Sequence, residues 1–193
     1  MHTTSQHAIR TILVGQSGGP TAAINASLAG VVRTAHTQGL RVLGMRNGIQ
    51  GFLEGNVVDL AEALELEVFN QNEVNPGEKN LQLLRKTPSS WLGSCRFKLP
   101  DLGMELASSS EPAAISPIYQ QIDAQLKKYQ VDAVLYIGGN DSMDTTDKLS
   151  RYFSQVGSAV RVVGVPKTID NDLEGTDHTP GFGSAARFVA SVT

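Results

Sequence analysis

Residues 131–142 read VDAVLYIGGNDS. Val131–Gly139 is almost continuous in apolar residues, the pattern of a parallel strand covered on both faces. Two glycines end it, and Asn140, Asp141 and Ser142 follow, residue types that favour a helix start. Strand, tight turn and helix start therefore lie in one short stretch, and the flanking regions repeat that order. Upstream, Ile12-Leu13-Val14 reads as a buried strand running into the loop Gly15-Gln16-Ser17-Gly18-Gly19-Pro20. Ile24, Leu28, Val31 and Ala35 then recur at the spacing of an amphipathic helix, Gly39 is its stop, and Arg41–Met45 is a second strand. Ser116-Pro117 opens a helix with an apolar face of Ile118, Ile122, Leu126 and Tyr129. Beyond Gly139, a helix over Asp141–Phe153 leads to a fourth, buried strand at Arg161–Val165. Such alternation predicts an α/β fold, a layered domain with a mainly parallel sheet and helices on both faces.

The middle of the chain is less regular. Residues 60–86 read as a helix, a polar break at Asn75-Pro76-Gly77, and a short helix ending near Lys86. The stretches around Leu99-Pro100 and Ser108–Pro112 read as turn-rich, mobile connections. Residues 1–8 form a polar tail, and residues 9–193 form one domain. Phe182–Val192 has helical spacing, but Thr193 arrives with no stop signal, so the domain is expected to be the front part of a larger protein, cut in mid-helix.

Composition narrows the function classes. With 16 basic and 19 acidic residues the net charge is −3, which argues against generic binding to nucleic acid or to an anionic membrane. Cys95 is the only cysteine, which excludes an intrachain disulfide and a cysteine-based zinc site. His2, His7, His36 and His178 show no metal-ligand spacing, and Trp91 reads as a core or interface residue. No apolar run approaches the roughly 20 residues of a membrane span, and MHTTSQHA lacks the apolar core of a signal peptide. A cytoplasmic protein is expected.

In parallel α/β sheets ligands bind at the carboxyl ends of the strands. The loops at 15–21, 138–144 and 166–172 all sit at such ends and are expected to converge. Gly18-Gly19 would let backbone amides approach an anion, although tight strand-to-helix turns use the same glycines. Asn140 and Asp141 offer oxygen ligands suited to Mg²⁺, or else cap the helix. In Pro166-Lys167-Thr168-Ile169-Asp170-Asn171-Asp172, a solvated turn competes with a catalytic loop. In the catalytic reading, Asp170 or Asp172 serves as general base and Lys167 as a cation for developing charge.

Gly18-Gly19, Leu92-Gly93-Ser94-Cys95-Arg96-Phe97, Ile137–Ser142 and Pro166–Asp172 with Gly175-Thr176-Asp177 occur in the order seen in phosphofructokinases. Over roughly residues 9–190 the chain resembles the amino-terminal part of that family. The resemblance implies a phosphofructokinase-like layered domain facing a second, similar domain, with the active site between them. It further implies glycolytic phosphoryl transfer to the 1-hydroxyl of fructose 6-phosphate. Gly18, Gly19, Arg96 and Gly139 would meet the phosphoryl donor, and Thr168, Ile169, Asp170 and Asp172 the sugar phosphate. Asp170 would be the base, and Asn140 the metal position. ATP-using members generally carry glycine where Asp141 and Lys167 stand here, whereas pyrophosphate-dependent members carry these two. A carboxylate at 141 opposes the α-phosphate of ATP, and Lys167 suits a phosphate leaving group, so pyrophosphate is the expected donor. The alternatives are an ATP-dependent enzyme and a non-catalytic regulatory subunit. The latter draws on Asn140, which replaces the family's usual metal-binding aspartate and which Asp144 could compensate. Mg²⁺ is expected, as is homo-oligomerisation at full length. Because the family's later basic residues for the sugar phosphate are absent, the isolated chain is expected to be inactive.

Overall fold

The computed structural model describes residues 8–66, 76–102 and 116–193. The alternation read from the sequence is realised as one five-stranded sheet. Its strands are β1 (Thr11–Gln16), β2 (Arg41–Met45), β3 (Val57–Asp59), β4 (Ala133–Gly138) and β5 (Arg161–Pro166), in the spatial order β3-β2-β1-β4-β5. Three of the four pairings are parallel, and only β2–β3 is antiparallel. The Asp132 carboxylate fixes the start of β1 by accepting from the amides of Arg10 (2.7 Å) and Thr11 (3.0 Å).

Helices cover both faces, as the unbroken apolar strands demand. Leu13, Leu43, Val134 and Tyr136 face a core shared with α2 (Gly48–Leu53), α5 (Pro117–Lys128) and α6 (Asn140–Gln155). Their sequence neighbours Val14, Val42 and Ile137 face the opposite core, shared with α1 (Ala22–Thr37), α3 (Leu60–Ala63) and α4 (Pro76–Lys86). This two-residue alternation lets one strand serve two cores. The buried stripe of α1 runs through Ile24, Leu28, Val32 and Ala35, with Val31 at its margin. Its end is the expected glycine stop, where Gly39 donates to the His36 carbonyl and Leu40 to that of Ala35.

Several expectations are corrected. The sheet gains a fifth strand, β3, three residues long and too short to show a period. Pro76 and Gly77 are not a break but the first residues of α4, consistent with the preference of proline for a helix start. Asn75, the tail through residue 7 and the stretch Ser108–Pro112 lie outside the described residues. Leu99-Pro100 is not a loose connection: Leu99 and Leu102 are in the core, and the Pro100 carbonyl accepts from the Tyr119 hydroxyl at 2.6 Å. Strand β5 is an edge strand rather than a buried one, with Val163 50% exposed. Helix α7 (Phe182–Val192) has no buried residue among those described and presents Phe188, Val189 and Val192 outward. No described helix is long and apolar enough to cross a membrane.

Candidate active site

Strand β1 leads into α1 on one face of the sheet, and the adjacent β4 leads into α6 on the other. Their loops therefore part and leave a crevice at the carboxyl ends of the strands. A cleft of about 730 Å³ opens there, lined by Ser17–Pro20 after β1, Gly139–Ser142 after β4, and Ser94–Lys98.

Buried amides hold these walls together. Gln16 is fully buried; its Nε2 donates to the Ile24 carbonyl (3.0 Å) and Asn25 Oδ1 (3.2 Å), and its Oε1 accepts from the Leu92 amide (2.8 Å). Asn25 in turn donates to the Thr87 carbonyl and accepts from the Trp91 amide, both at 2.9 Å. Removing one member would strand buried polar partners, so the network fixes where the 87–92 segment enters the site. Beyond it, the Ser17 hydroxyl donates to the Cys95 carbonyl (3.2 Å) and Ser94 to that of Gly18 (2.9 Å). The Tyr136 hydroxyl lies beneath this loop, and burial, with Cys95 adding to it, raises its pKa well above the usual tyrosine value.

Two glycines are needed for different reasons. Gly18 has φ +86, in the left-handed region. Gly138 allows close approach: a Cβ there would stand 2.0 Å from Ser142 Oγ and 2.7 Å from the Ser17 carbonyl oxygen. The N-cap of α6 is Gly139, without a side-chain cap bond, so Asn140 and Asp141 are first-turn residues rather than caps. Their side chains line the cleft where the unpaired amides and dipole of the helix favour an anion.

The 94–99 segment is extended and alternates. Ser94, Arg96 and Lys98 are exposed, Cys95 and Phe97 are half-buried, and Leu99 is in the core. Lys148 of α6 clamps its far end, with Nζ 3.1 Å from the Leu99 carbonyl, 2.8 Å from Asp101 and 2.9 Å from Asp144. These carboxylates push the Lys148 pKa up to about 12, and the ammonium holds Asp101 below its ordinary value. Asp144, expected to compensate for Asn140, is not among the cleft-lining residues and pairs with Lys148 through one carboxylate oxygen.

The third loop joins the other two at the rim. The Lys167 amide donates to the Gly138 carbonyl (2.7 Å), and Lys167 Nζ donates to that of Gly19 (2.9 Å). All three loops are thus neighbours. Gly18, Gly19, Arg96, Gly139, Asn140 and Asp141 line the cleft, whereas Thr168, Ile169, Asp170 and Asp172 do not. Asp170 and Asp172 are exposed, and Ile169 is 48% exposed. The Thr168 hydroxyl accepts from the Asp170 amide (3.0 Å). Reciprocal amide bonds between Asn171 and the buried Thr179 fix the turn that follows. Sequence reasoning missed Lys98, the Gln16–Asn25 network and Lys148. Of these only Lys98 left a signal, the alternation Arg96-Phe97-Lys98-Leu99.

No group of three acidic, histidine or cysteine side chains among the described residues could cage a metal. One amide and one carboxylate at the cleft wall, Asn140 and Asp141, nonetheless fit Mg²⁺, which uses few protein ligands and takes the rest from phosphate and water.

The phosphofructokinase family model matches residues 11–193, nearly the whole chain. The chain belongs to the phosphofructokinase family. A pyrophosphate–fructose 6-phosphate 1-phosphotransferase of Xanthomonas campestris pv. campestris is 38% identical over 179 residues, covering 93% of this chain and 37% of that protein. The crystal structure of a pyrophosphate-dependent phosphofructokinase from Nitrosospira multiformis matches with a TM-score of 0.74 at 34% identity, covering 96% of this chain and 40% of that one. An ATP-dependent 6-phosphofructokinase of Aliivibrio salmonicida is 32% identical over 181 residues, covering 94% of this chain and 46% of that protein. The chain spans less than half the length of these relatives. Within this phosphofructokinase chain, the β1 and α6 loops and the 94–98 segment form the cleft, and Lys167 ties the 167–172 loop to two of its walls.

Proposed function

We propose that this chain supplies the donor-binding half of a pyrophosphate-dependent 6-phosphofructokinase, which converts fructose 6-phosphate and pyrophosphate reversibly into fructose 1,6-bisphosphate and phosphate. One observation carries the choice of donor: Asp141 lines the cleft on the first turn of α6, while the Lys167 ammonium is held at its rim on the Gly19 carbonyl. A nucleotide would have to bring its α-phosphate against that carboxylate, whereas pyrophosphate need not extend so far.

In this reading the 1-hydroxyl loses its proton to Asp170 while its oxygen attacks the nearer phosphorus. The bridging P–O bond breaks and inorganic phosphate leaves. Arg96 and the amides around Gly18-Gly19 and Gly139 take up charge on the transferred group, and Lys167 offsets charge on the leaving phosphate. Thr168, Ile169 and Asp172 place the sugar beside the base. Mg²⁺, held by Asn140 and Asp141 together with the diphosphate, would neutralise donor oxygens. The cytoplasm is the compartment this chemistry suits, and a homo-oligomer the assembly.

The test is calorimetric titration of the chain with pyrophosphate and with ATP, each with Mg²⁺ and with excess chelator. Pyrophosphate should bind, more tightly with Mg²⁺, and ATP should bind at least about tenfold more weakly. The double variant Asp141→Gly, Lys167→Gly should shift preference towards ATP. Tighter binding of ATP by the unaltered chain would overturn the choice of donor, and indifference to chelation would remove the metal.

A further inference from the structure

We infer that Lys98 is a second donor-binding cation, paired with Arg96 so that each holds one phosphoryl group of pyrophosphate; this rests on the donor reading above. Both residues line the same cleft as Asn140 and Asp141, and both are exposed. They do so because the 94–99 segment is extended: residues two apart point the same way, with Cα atoms about 7 Å apart. Phe97 packs against the core and Leu99 is 1% exposed, so the alternation cannot slip by one residue without burying two cations.

Three fastenings hold this register. The Leu99 carbonyl accepts from Lys148, the Pro100 carbonyl from Tyr119, and the Asp101 carboxylate pairs with Lys148 at 2.8 Å. The last contact matters for charge as well as position. Lys98 contributes only a minor part of the lowering of the Asp101 pKa, the larger part coming from Lys148, which engages that carboxylate directly. Among the described residues Lys98 makes no hydrogen bond or ion pair.

The chemistry of the donor calls for such a group. Pyrophosphate carries several negative charges in two compact groups and has no nucleoside through which to gain apolar contact. The helix amides and Arg96 serve one phosphoryl group, and a Mg²⁺ on Asn140 and Asp141 would offset only part of the charge of the diphosphate, which leaves the second phosphoryl group in need of a cation. A lysine acts there as a flexible point charge, able to follow the leaving phosphate.

Calorimetry with Mg-pyrophosphate on the chain and on Lys98→Met, Lys98→Arg and Lys79→Met variants tests this. Lys79 lies on α4, away from the cleft-lining residues, and controls for the change in net charge. Lys98→Met should weaken pyrophosphate binding roughly ten- to a hundredfold. Lys98→Arg should stay within about threefold of the parent and Lys79→Met within about twofold. Because Lys98 is exposed, all variants should melt at the parent temperature. Unchanged affinity in Lys98→Met, or an equal loss in Lys79→Met, would overturn the role of Lys98 while leaving the donor reading intact. Failure of the parent chain to bind pyrophosphate would overturn both.

Discussion

Lys148 shows how a residue outside the cleft controls one inside it. Its side chain is only 12% exposed and bridges Asp144 on its own helix to Leu99 and Asp101 on the cleft-bearing segment. Lys148→Met should cost about 1–2 kcal/mol, mostly from Asp144 and the Leu99 carbonyl losing their partner, since exposed ion pairs such as that to Asp101 contribute little. The pH dependence has a definite sign. A lysine raised from 10.5 to about 12 adds stability that is complete below pH 10.5 and lost as pH rises through about 12. Asp101, lowered from 3.8, adds stability only above that pH and loses it on acidification. The gap between parent and Lys148→Met melting temperatures should therefore stay constant from about pH 5 to about pH 9, then narrow on either side. A gap that failed to narrow above about pH 10 and below about pH 4 would show that the clamp is not electrostatic. The Asp144–Lys148 pair has the local i,i+4 spacing, but the contacts to Asp101 and Leu99 were not legible in the sequence, because Lys148 meets them only across the fold.

At the scale of elements, the β4–α6 junction was read almost completely from VDAVLYIGGNDS. A short, almost continuous apolar run bounded by two glycines fits a strand buried on both faces, and the glycines before polar residues mark the turn into a helix. What the run could not reveal is that Gly138 is required by Ser142 and Ser17, one from the following helix and one from the neighbouring strand's loop. Gly138→Ala should destabilise the chain by about 1–3 kcal/mol through overpacking and weaken pyrophosphate binding, as denaturant melts and calorimetry would show. Retention of both would mean that the loop can yield. Short elements escaped for a simple reason. Strand β3 has three residues and α2 six, fewer than two repeats of the strand or helix period each. Strand β5 was read as buried because its sequence is apolar, but exposure depends on what lies beside it, and it is an edge of the sheet.

Over the whole molecule, the cleft proposed to take the donor has three walls, while the loop proposed to hold the sugar is exposed. Asp170 and Asp172 are exposed, Ile169 is half-exposed, and no described residue of α7 is buried. A general base in bulk water has no fixed substrate to act on, so the chain alone should bind pyrophosphate yet phosphorylate fructose 6-phosphate no faster than a blank. Turnover by the isolated chain in a coupled assay would refute this. The sequence by itself determined the strand-helix alternation, the mainly parallel sheet, and the glycine and acidic loops at the strand ends, because each follows from local periodicity and turn chemistry. Only the tertiary structure decided that β1 and β4 are neighbours with their helices on opposite faces, which opens the cleft. It also set Lys167 on the Gly19 carbonyl, 148 residues away in sequence, and turned Arg96 and Lys98 to the same side. Those facts depend on contacts between distant segments, which no local pattern of residues encodes.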